Sequence, residues 1–581
     1  MIPHSGVSMV AFSLGFLLVS CGGGGGPSAP ASQTLAYYID STNGNDSNSG
    51  HDAAHPWQSL SKVSSLPVPS GSTVYLMSGS TWYEQLSIPS SAITISAYGS
   101  GNRPKIDGSR AVASWTSEGG GIFSSVVSLA AGEALGNVSE NGVVMSFVAW
   151  NTDVVTTLSG ALTGTFSYEY ATSKIYIKPA NSPQTSSAAY RASVKLYGIT
   201  ATALSDIVVR NIEIDRFSLN GVNYVNCQRC SVYNTSIMMG GGATIAPDLY
   251  AGNGIEFDNN STDGVVDGVD ITQIFDSCIS PQTYQSGQSL SNITITNSHL
   301  FYCGFAGVEV SVLSNGGSFG SNIGNVTISG SSITNSGKGW SGQRYGTEGH
   351  GIRIKADAGA GTMSNVRVDT TSIFGSAGEG VKLAGEIGTV QLSRMDISKN
   401  HYGIDVSEAN AIGLKLKVTS SLIYSNSNYG IHYDSPTASG FELYQNTLSD
   451  NSGINLAIFN QAGVAKVENN IFYGSSPMTH FYSAAALSGA VVDNNCYNEL
   501  TNMFGYNAVA YSTVGTFNAA STFEVNGLGG MVGLTNPATG NFTLTNSSQC
   551  KTLGSSSVGV ATDFSGYQFA TPPSSGAFQF R

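Results

Sequence analysis

Between about residues 220 and 457 the chain repeats one short pattern: Gly, apolar, polar, apolar, variable. It reads Gly221-Val222-Asn223-Tyr224, Gly254-Ile255-Glu256-Phe257, Gly307-Val308-Glu309-Val310, Gly351-Ile352-Arg353-Ile354, Gly380-Val381-Lys382-Leu383, Gly403-Ile404-Asp405-Val406 and Gly430-Ile431-His432-Tyr433. A degenerate copy, Cys278-Ile279-Ser280-Pro281-Gln282, lies between the second and third, and a weaker one, Ile454-Asn455-Leu456, ends the run. Alternation with a period of two marks a strand with one buried face. Successive copies are 23 to 44 residues apart, the spacing of stacked coils in a solenoid.

Two columns of the repeat are apolar. One runs Val222, Ile255, Ile279, Val308, Ile352, Val381, Ile404, Ile431, Ile454; the other runs Tyr224, Phe257, Pro281, Val310, Ile354, Leu383, Val406, Tyr433, Leu456. Stacked in parallel, they make a continuous core that no single coil could bury alone. Short β-branched segments between the copies, such as Asn292-Ile293-Thr294-Ile295 and Asn325-Val326-Thr327-Ile328, supply further strands of each coil. A leucine-rich repeat would need helices, and a propeller repeats of about 40 residues or more. The pattern predicts an all-β chain, a right-handed parallel β-helix with an N-terminal cap and an inserted β-structure. Residues 36–110 read as the cap and first coils, with a short helix begun near Pro56-Trp57. The step breaks over 111–195, the expected insertion; 196–500 is the solenoid proper, and 501–581 returns as short strands and a tail.

Only 10% of residues are charged and the net charge is −13, which argues against nucleic-acid binding. The first 21 residues read as a signal peptide. Leu18-Val19-Ser20-Cys21 resembles the lipobox of bacterial lipoproteins, although no Lys or Arg precedes it. On that reading Cys21 is lipidated, residues 22–35 form a Gly/Pro-rich tether, and the protein is an exported outer-membrane lipoprotein facing the periplasm or the cell surface, expected to be monomeric. Cys227, Cys230, Cys278, Cys303, Cys496 and Cys550 would then lie in an oxidising compartment. Cys227 and Cys230 have no second CxxC partner, so zinc is disfavoured. Small buried residues or one local disulfide are expected instead.

The opening Tyr37-Tyr38-Ile39 with Asn45-Asp46 and Pro56-Trp57, the segments Asn253-Gly254-Ile255-Glu256, Asp276 to Gln282, Gly307-Val308-Glu309 and Gly339 to Arg344 with His350, and the Asp563 to Ala577 tail carry a resemblance. Together they resemble the bacterial right-handed β-helix proteins of the pectate-lyase-like superfamily, over nearly all of residues 36–581. That resemblance implies a fold and a polysaccharide substrate. It leaves the reaction open, because the superfamily holds lyases, hydrolases, epimerases and phage depolymerases. Polygalacturonases carry paired Asp, Gly-His-Gly and Arg-Ile-Lys on separate coils. Here Asp276 stands alone, and Gly349-His350-Gly351 shares a coil with Arg353-Ile354-Lys355. Large β-helix pectate lyases use a Gly-x-Lys-Leu lysine, which Gly380-Val381-Lys382-Leu383 matches. Their calcium-binding Asp cluster one coil earlier is replaced here by His350-Gly351-Ile352-Arg353.

The outward column reads Asn223, Glu256, Ser280, Glu309, Arg353, Lys382, Asp405, His432, Asn455, and the next outward positions include Asp258, Gln282, Ser311, Lys355, Ser407 and Asp434. An exposed sheet face is ordinarily polar, but charges are scarce in this chain and concentrate here. Three readings follow. In the first, a glycoside hydrolase, Glu256 and Glu309 lie two coils apart, about 9–10 Å, near the roughly 6.5–9.5 Å separation of inverting enzymes. Asp276 is then a third carboxylate, with His350, Arg353 and Lys382 completing the catalytic set. Asp258, Gln282, Trp340, Gln343, Arg344, Lys355, Asp405 and His432 bind substrate, Trp340 as a stacking surface. The second reading, a polysaccharide lyase or epimerase on a uronate polymer, makes Lys382 the base and Arg353 or Lys355 the carboxylate neutraliser. Glu256, Asp258, Asp276 and Glu309 would then hold calcium; the hydrolase reading needs no cofactor. The third is a glycan-binding surface protein without chemistry. Pro281, in an inward column, predicts a local bend.

Overall fold

The computed structural model describes residues 35–581 apart from 149–153, 247–248, 315–319, 342–347, 408–412, 462–463, 477 and 500–502. The expected leader, most of the tether, Cys21, Gln343 and Arg344 lie outside the described residues. Three sheets of 14 strands each run the length of the molecule, and almost every pairing within them is parallel. Each coil contributes one strand to each sheet, giving a right-handed parallel β-helix, the hand that parallel crossovers take.

The predicted columns are the core. Val222 pairs with Ile255, Ile255 with Ile279, Ile279 with Val308, and the register continues through Ile352, Val381 and Ile404 to Ile431. All eight are fully buried. The Gly of the pattern is needed because coils approach closely at the corner. A Cβ on Gly351 would lie 2.5 Å from the carbonyl oxygen of Gly380 and closer still to the Ile373 side chain. Other corners are turned by residues in the left-handed region, among them Asn292, Asn325 and Asn365 at φ 59, 56 and 56°, the residue type that tolerates it best after Gly.

The strand keeps its register across Pro281, and two expectations are corrected. The pairs on either side of the proline, Ile279 with Val308 and Gln282 with Ser311, keep one register, because a missing N–H removes one ladder bond without shifting the chain. The last repeat copy is out of register by two residues: Ile431 pairs with Leu456 and His432 with Ala457. Asn455 therefore leaves the outward face. It is fully buried and accepts from the Asn451 amide at 2.8 Å. The cysteines form three disulfides, Cys227–Cys230, Cys278–Cys303 and Cys496–Cys550, where one local bridge was expected.

Both ends are closed. Near the N-terminus, helix Leu60–Ser65, capped by the Ser59 hydroxyl on the Lys62 N–H at 3.1 Å, packs on strand Leu86–Ser87. At the other end, helix Val514–Ser521 lays Phe517 on Phe504, ring centres 4.4 Å apart. The chain between strands Lys105–Asp107 and Tyr197–Thr202 builds two further small sheets, of four and five strands. Their own core includes Phe147, Phe166, Ile175 and Ile177.

A buried amide ladder runs up one corner. The backbone N–H of Asn446 donates to Asn470 Oδ1, that of Asn470 to Asn495 Oδ1, and that of Asn495 to Glu524. Glu524 ends it, 2% exposed, accepting also from the Tyr497 hydroxyl at 2.6 Å. Burial pushes this carboxyl up to about 8, outweighing the bonds from Tyr497 and Asn495. The folded protein thus keeps a proton that the unfolded chain releases at ordinary carboxylate pH, so stability falls as pH rises through that window. In Glu524→Gln, which cannot ionise, the melting temperature relative to wild type should climb steadily between pH 5 and 8.5. A pH-independent difference in thermal melts would refute the assignment.

Candidate active site

The site lies on the outward face of the sheet that holds the repeat strands. Glu256 pairs with Asn223 on one side and Ser280 on the other; Glu309 pairs with Arg353, Arg353 with Lys382, Lys382 with Asp405, and Asp405 with His432. The stripe expected from the sequence is therefore present up to His432, after which Ala457 and Tyr482 continue it.

Glu256 is 4% exposed and receives four side-chain donors. The amides of Asn220 and Asn253 donate to Oε2; the Gln282 amide, at 3.0 Å, and the Tyr284 hydroxyl donate to Oε1. Such a cage of donors suits a carboxylate, which only accepts. Asp258, two residues along the same strand and also buried, has the opposite environment. Its Oδ1 has no hydrogen-bond partner among the described residues. Burial and then the charge of Glu256 push its carboxyl up to about 8, against the opposing bonds from the Asn259 N–H and the Tyr284 hydroxyl. Both causes favour its protonated form. Tyr284 covers the pair, its own hydroxyl raised well above the phenol range by burial and the two carboxyls. Tyr197 stands near them and is pushed up to about 12 by the same two causes.

Glu309 is differently held. Its Oε1 accepts from Arg353 Nη1 at 2.6 Å and from the Ser311 hydroxyl at 2.9 Å, while Oε2 accepts from Ser277 at 2.9 Å. The Arg353 guanidinium lies over the Phe305 ring, 5.0 Å from its centre. Further along, His350 Nδ1 is 2.6 Å from Glu379. Burial works to raise the Glu379 carboxyl, but His350 and the Lys382 charge hold it below its ordinary range. Lys382 donates to Asp405 and, at 2.7 Å, to Ser407; His432 Nδ1 is 2.6 Å from the other Asp405 oxygen. Those partners overcome burial and keep Asp405 low as well. Lys355 pairs with Asp357 at 3.1 Å.

Not every expected residue joins the cluster. Trp340 is 6% exposed, wedged against Phe275 and Phe166 with its indole N–H on the Gln273 carbonyl at 3.0 Å. It bolts the inserted sheets to the solenoid and has no face left for a sugar. Asp276 is half-buried at the turn before strand Ile279–Thr283, its backbone bonded to Gly252 and Phe305. Among the described residues no group of three or more His, Cys, Asp or Glu has metal-binding geometry. The four-donor cage points N–H and O–H groups at Glu256, where calcium would need bare oxygens, so the acid pair does not fit that ion.

Several residues were missed. Asn220, Asn253, Ser277, Glu379, Tyr402 and Tyr429 each stand just before the first residue of a repeat copy, as does His350. This corner column delivers Asn220 and Asn253 to Glu256, Ser277 to Glu309, and Glu379 to His350. The position before the glycine was the available signal. Tyr284 comes from the loop after a strand, where no periodicity points to it.

No protein-family model matches the chain, and no curated protein matches it in sequence. In structure it is similar to XylC solved in complex with xylose, at 13% identity and a TM-score of 0.56, over 94% of this chain and 98% of that one. It also aligns with pectate lyase Pel9A at 14% identity and a TM-score of 0.37, over 95% and 98%. A third match is GH136 lacto-N-biosidase from Eubacterium ramulus, at 13% identity and a TM-score of 0.38, over 81% and 68%. At such identities the likeness is one of fold.

The Glu309–Arg353 pair is largely buried, with 8% and 15% of the two side chains exposed. Removing one partner from such a pair typically costs about 3–5 kcal/mol, whereas replacing both with apolar groups is often neutral. Arg353→Met should therefore lower unfolding stability by about 3 kcal/mol, and the Arg353→Met, Glu309→Leu double variant should recover most of it in chemical denaturation.

Proposed function

We propose that this protein is a glycoside hydrolase acting on a polysaccharide laid along the repeat-strand face, with Asp258 as general acid and Glu256 as the ionised carboxylate. One observation carries the reading. Two buried carboxyl groups stand two residues apart on one strand, both in contact with Tyr284, one caged by four donors and the other with an unpartnered Oδ1 and a carboxyl raised by burial and by Glu256. Environments that drive neighbouring carboxyls apart in this way assign the acid and its charged partner. Asp258 would protonate the glycosidic oxygen as the bond breaks, and Glu256 would stabilise or capture the cationic sugar. Two residues along one strand put their backbones about 6.6 Å apart, nearer the roughly 5–5.5 Å carboxyl spacing of retaining enzymes than the two-coil offset to Glu309.

The lyase reading is weaker on the same evidence. Lys382 is engaged by Asp405 and Ser407, so its amine donates within the face and is not aimed at a substrate proton. Three disulfides support export to an oxidising compartment. No helix of the described residues is long and apolar enough to cross a membrane, and attachment through Cys21 together with a monomeric state completes the proposal.

Wild-type protein should release reducing ends from a polysaccharide without unsaturated-product ultraviolet absorbance, and chelator should leave the rate unchanged. The acid must be protonated to act, so kcat/KM should fall as pH rises past about 8. Asp258→Asn should cut the rate by about 10²–10⁴ and abolish that alkaline limb. Proton NMR of the first-formed product should show retained anomeric configuration; inversion would move the base to Glu309. Full activity in Asp258→Asn would sink the assignment.

A further inference from the structure

Beyond Arg353 the same face changes character over five coils, about 24 Å of helix. Aromatic side chains gather on it: Tyr402 stacks on Tyr429 with ring centres 5.5 Å apart, Tyr429 on His432 at 5.1 Å, and Phe459 lies 5.1 Å from His432 and 5.3 Å from Tyr482. All five are half-buried or nearly so, with part of each ring surface in solvent. Tyr482 continues, through Ala457, the column that holds Glu309 and Lys382, and Phe459 sits beside it at the register shift between Ile458 and Asn460.

The charges on this face are closed among themselves. The three Lys and Arg side chains of the outward columns each have a carboxylate: Arg353 has Glu309, Lys355 has Asp357, and Lys382 has Asp405. Among the described residues no ion pair reaches Glu256 or Asp258. A polyuronate brings a carboxylate on every sugar. Along this path it would find balanced cations and then an acid pair with no cation facing it, on a chain of net charge −13. An uncharged sugar chain meets none of these costs. Its C–H faces can lie on the aromatic surface and its hydroxyls can bond Asp434, Asn460 and the tyrosine hydroxyls.

We propose that the face from Arg353 to Tyr482 is an extended binding track for an uncharged polysaccharide, continuous with the acid pair. The proposal names the substrate class of the hydrolase site above and rests on that reading for its catalytic end, but binding can be measured without turnover. Asp258→Asn protein would be run by affinity electrophoresis through gels containing xylan, galactan or mixed-linkage glucan, and through gels containing polygalacturonate or alginate. At least one neutral polymer should retard it with a dissociation constant ten-fold or more below that of either uronate polymer. Adding Phe459→Ala and Tyr482→Ala should weaken that retardation at least ten-fold with an unchanged melting temperature. Asp357→Asn, which leaves Lys355 unbalanced, should raise retardation by polygalacturonate several-fold. Tighter binding to a uronate polymer, no retardation by any neutral one, or indifference to the aromatic substitutions overturns the track. If wild-type protein fails to cleave a neutral polymer that Asp258→Asn binds through these rings, the catalytic reading fails and the track stands.

Discussion

Parallel stacking at about 4.8 Å is the constraint on which everything else in this protein depends. Each side chain has a near neighbour directly above and below, supplied by residues 23 to 44 positions away. Inside, the consequence is columns of Val, Ile and Leu that fill one another's gaps. At the corners it becomes amide ladders, because an Asn can accept from one coil and donate to the next. Outside, like charges stack only at a cost, so charges are paired or diluted with neutral residues; where Arg353 and Lys382 adjoin, each has a carboxylate on its other side.

That rule explains most of the charged face and isolates the part that departs from it. Glu309 answers Arg353, and Lys382 answers Asp405, which His432 approaches from the following coil. Glu256 and Asp258 have no such partner. The coils around them offer Asn223, Ser280 and Gln282, and the corner offers Asn220 and Asn253, so one carboxylate is stabilised by dipoles and the second is left to hold its proton. A purely structural face would have placed a Lys or Arg there. The inserted sheets reinforce the asymmetry. They dock through Trp340, Phe275 and Tyr250, residues of corners that lead into the repeat strands, and so build up the side of the solenoid from which Asn220 and Asn253 reach the acids.

How much of this could be read beforehand depended on whether the cause was periodic. The fold, the inward columns and the order of charges from Glu256 to His432 follow from an alternation visible in the residues themselves. The error at Asn455 arose because Ile431 stacks on Leu456 and not on Ile454; an offset of two residues leaves local alternation looking the same. Trp340 was misread because its burial is set by sheets folded from residues more than 150 positions earlier. The Cys227–Cys230 bridge is local and was legible from its spacing; the other two pair neighbouring coils or bring back the tail, and spacing alone does not determine such partners. Asp258 was legible as an outward residue, but its raised carboxyl was not: that comes first from burial, which the repeat does not show, and then from the charge of Glu256.

The acid pair also sits where the solenoid is braced rather than where it is simplest. Pro281 forgoes a ladder bond one coil beyond Glu256, and the Cys278–Cys303 disulfide ties that coil to the next. Within the same coil, Ser277 holds Glu309 while Gln282 holds Glu256. A coil that gives up a backbone bond and carries the supports of two buried carboxylates needs other restraints on its position, and the cross-link and corner ladder supply them. The next coils toward the C-terminus make the opposite compromise. There the ladder holds its register apart from the shift between Tyr433 and Asp434, the charges cancel locally, and outward positions are taken by rings. One scaffold rule thus yields two adjoining surfaces: a braced end with two buried carboxyls and no ion pair to them among the described residues, and an end where charges are paired and rings gather.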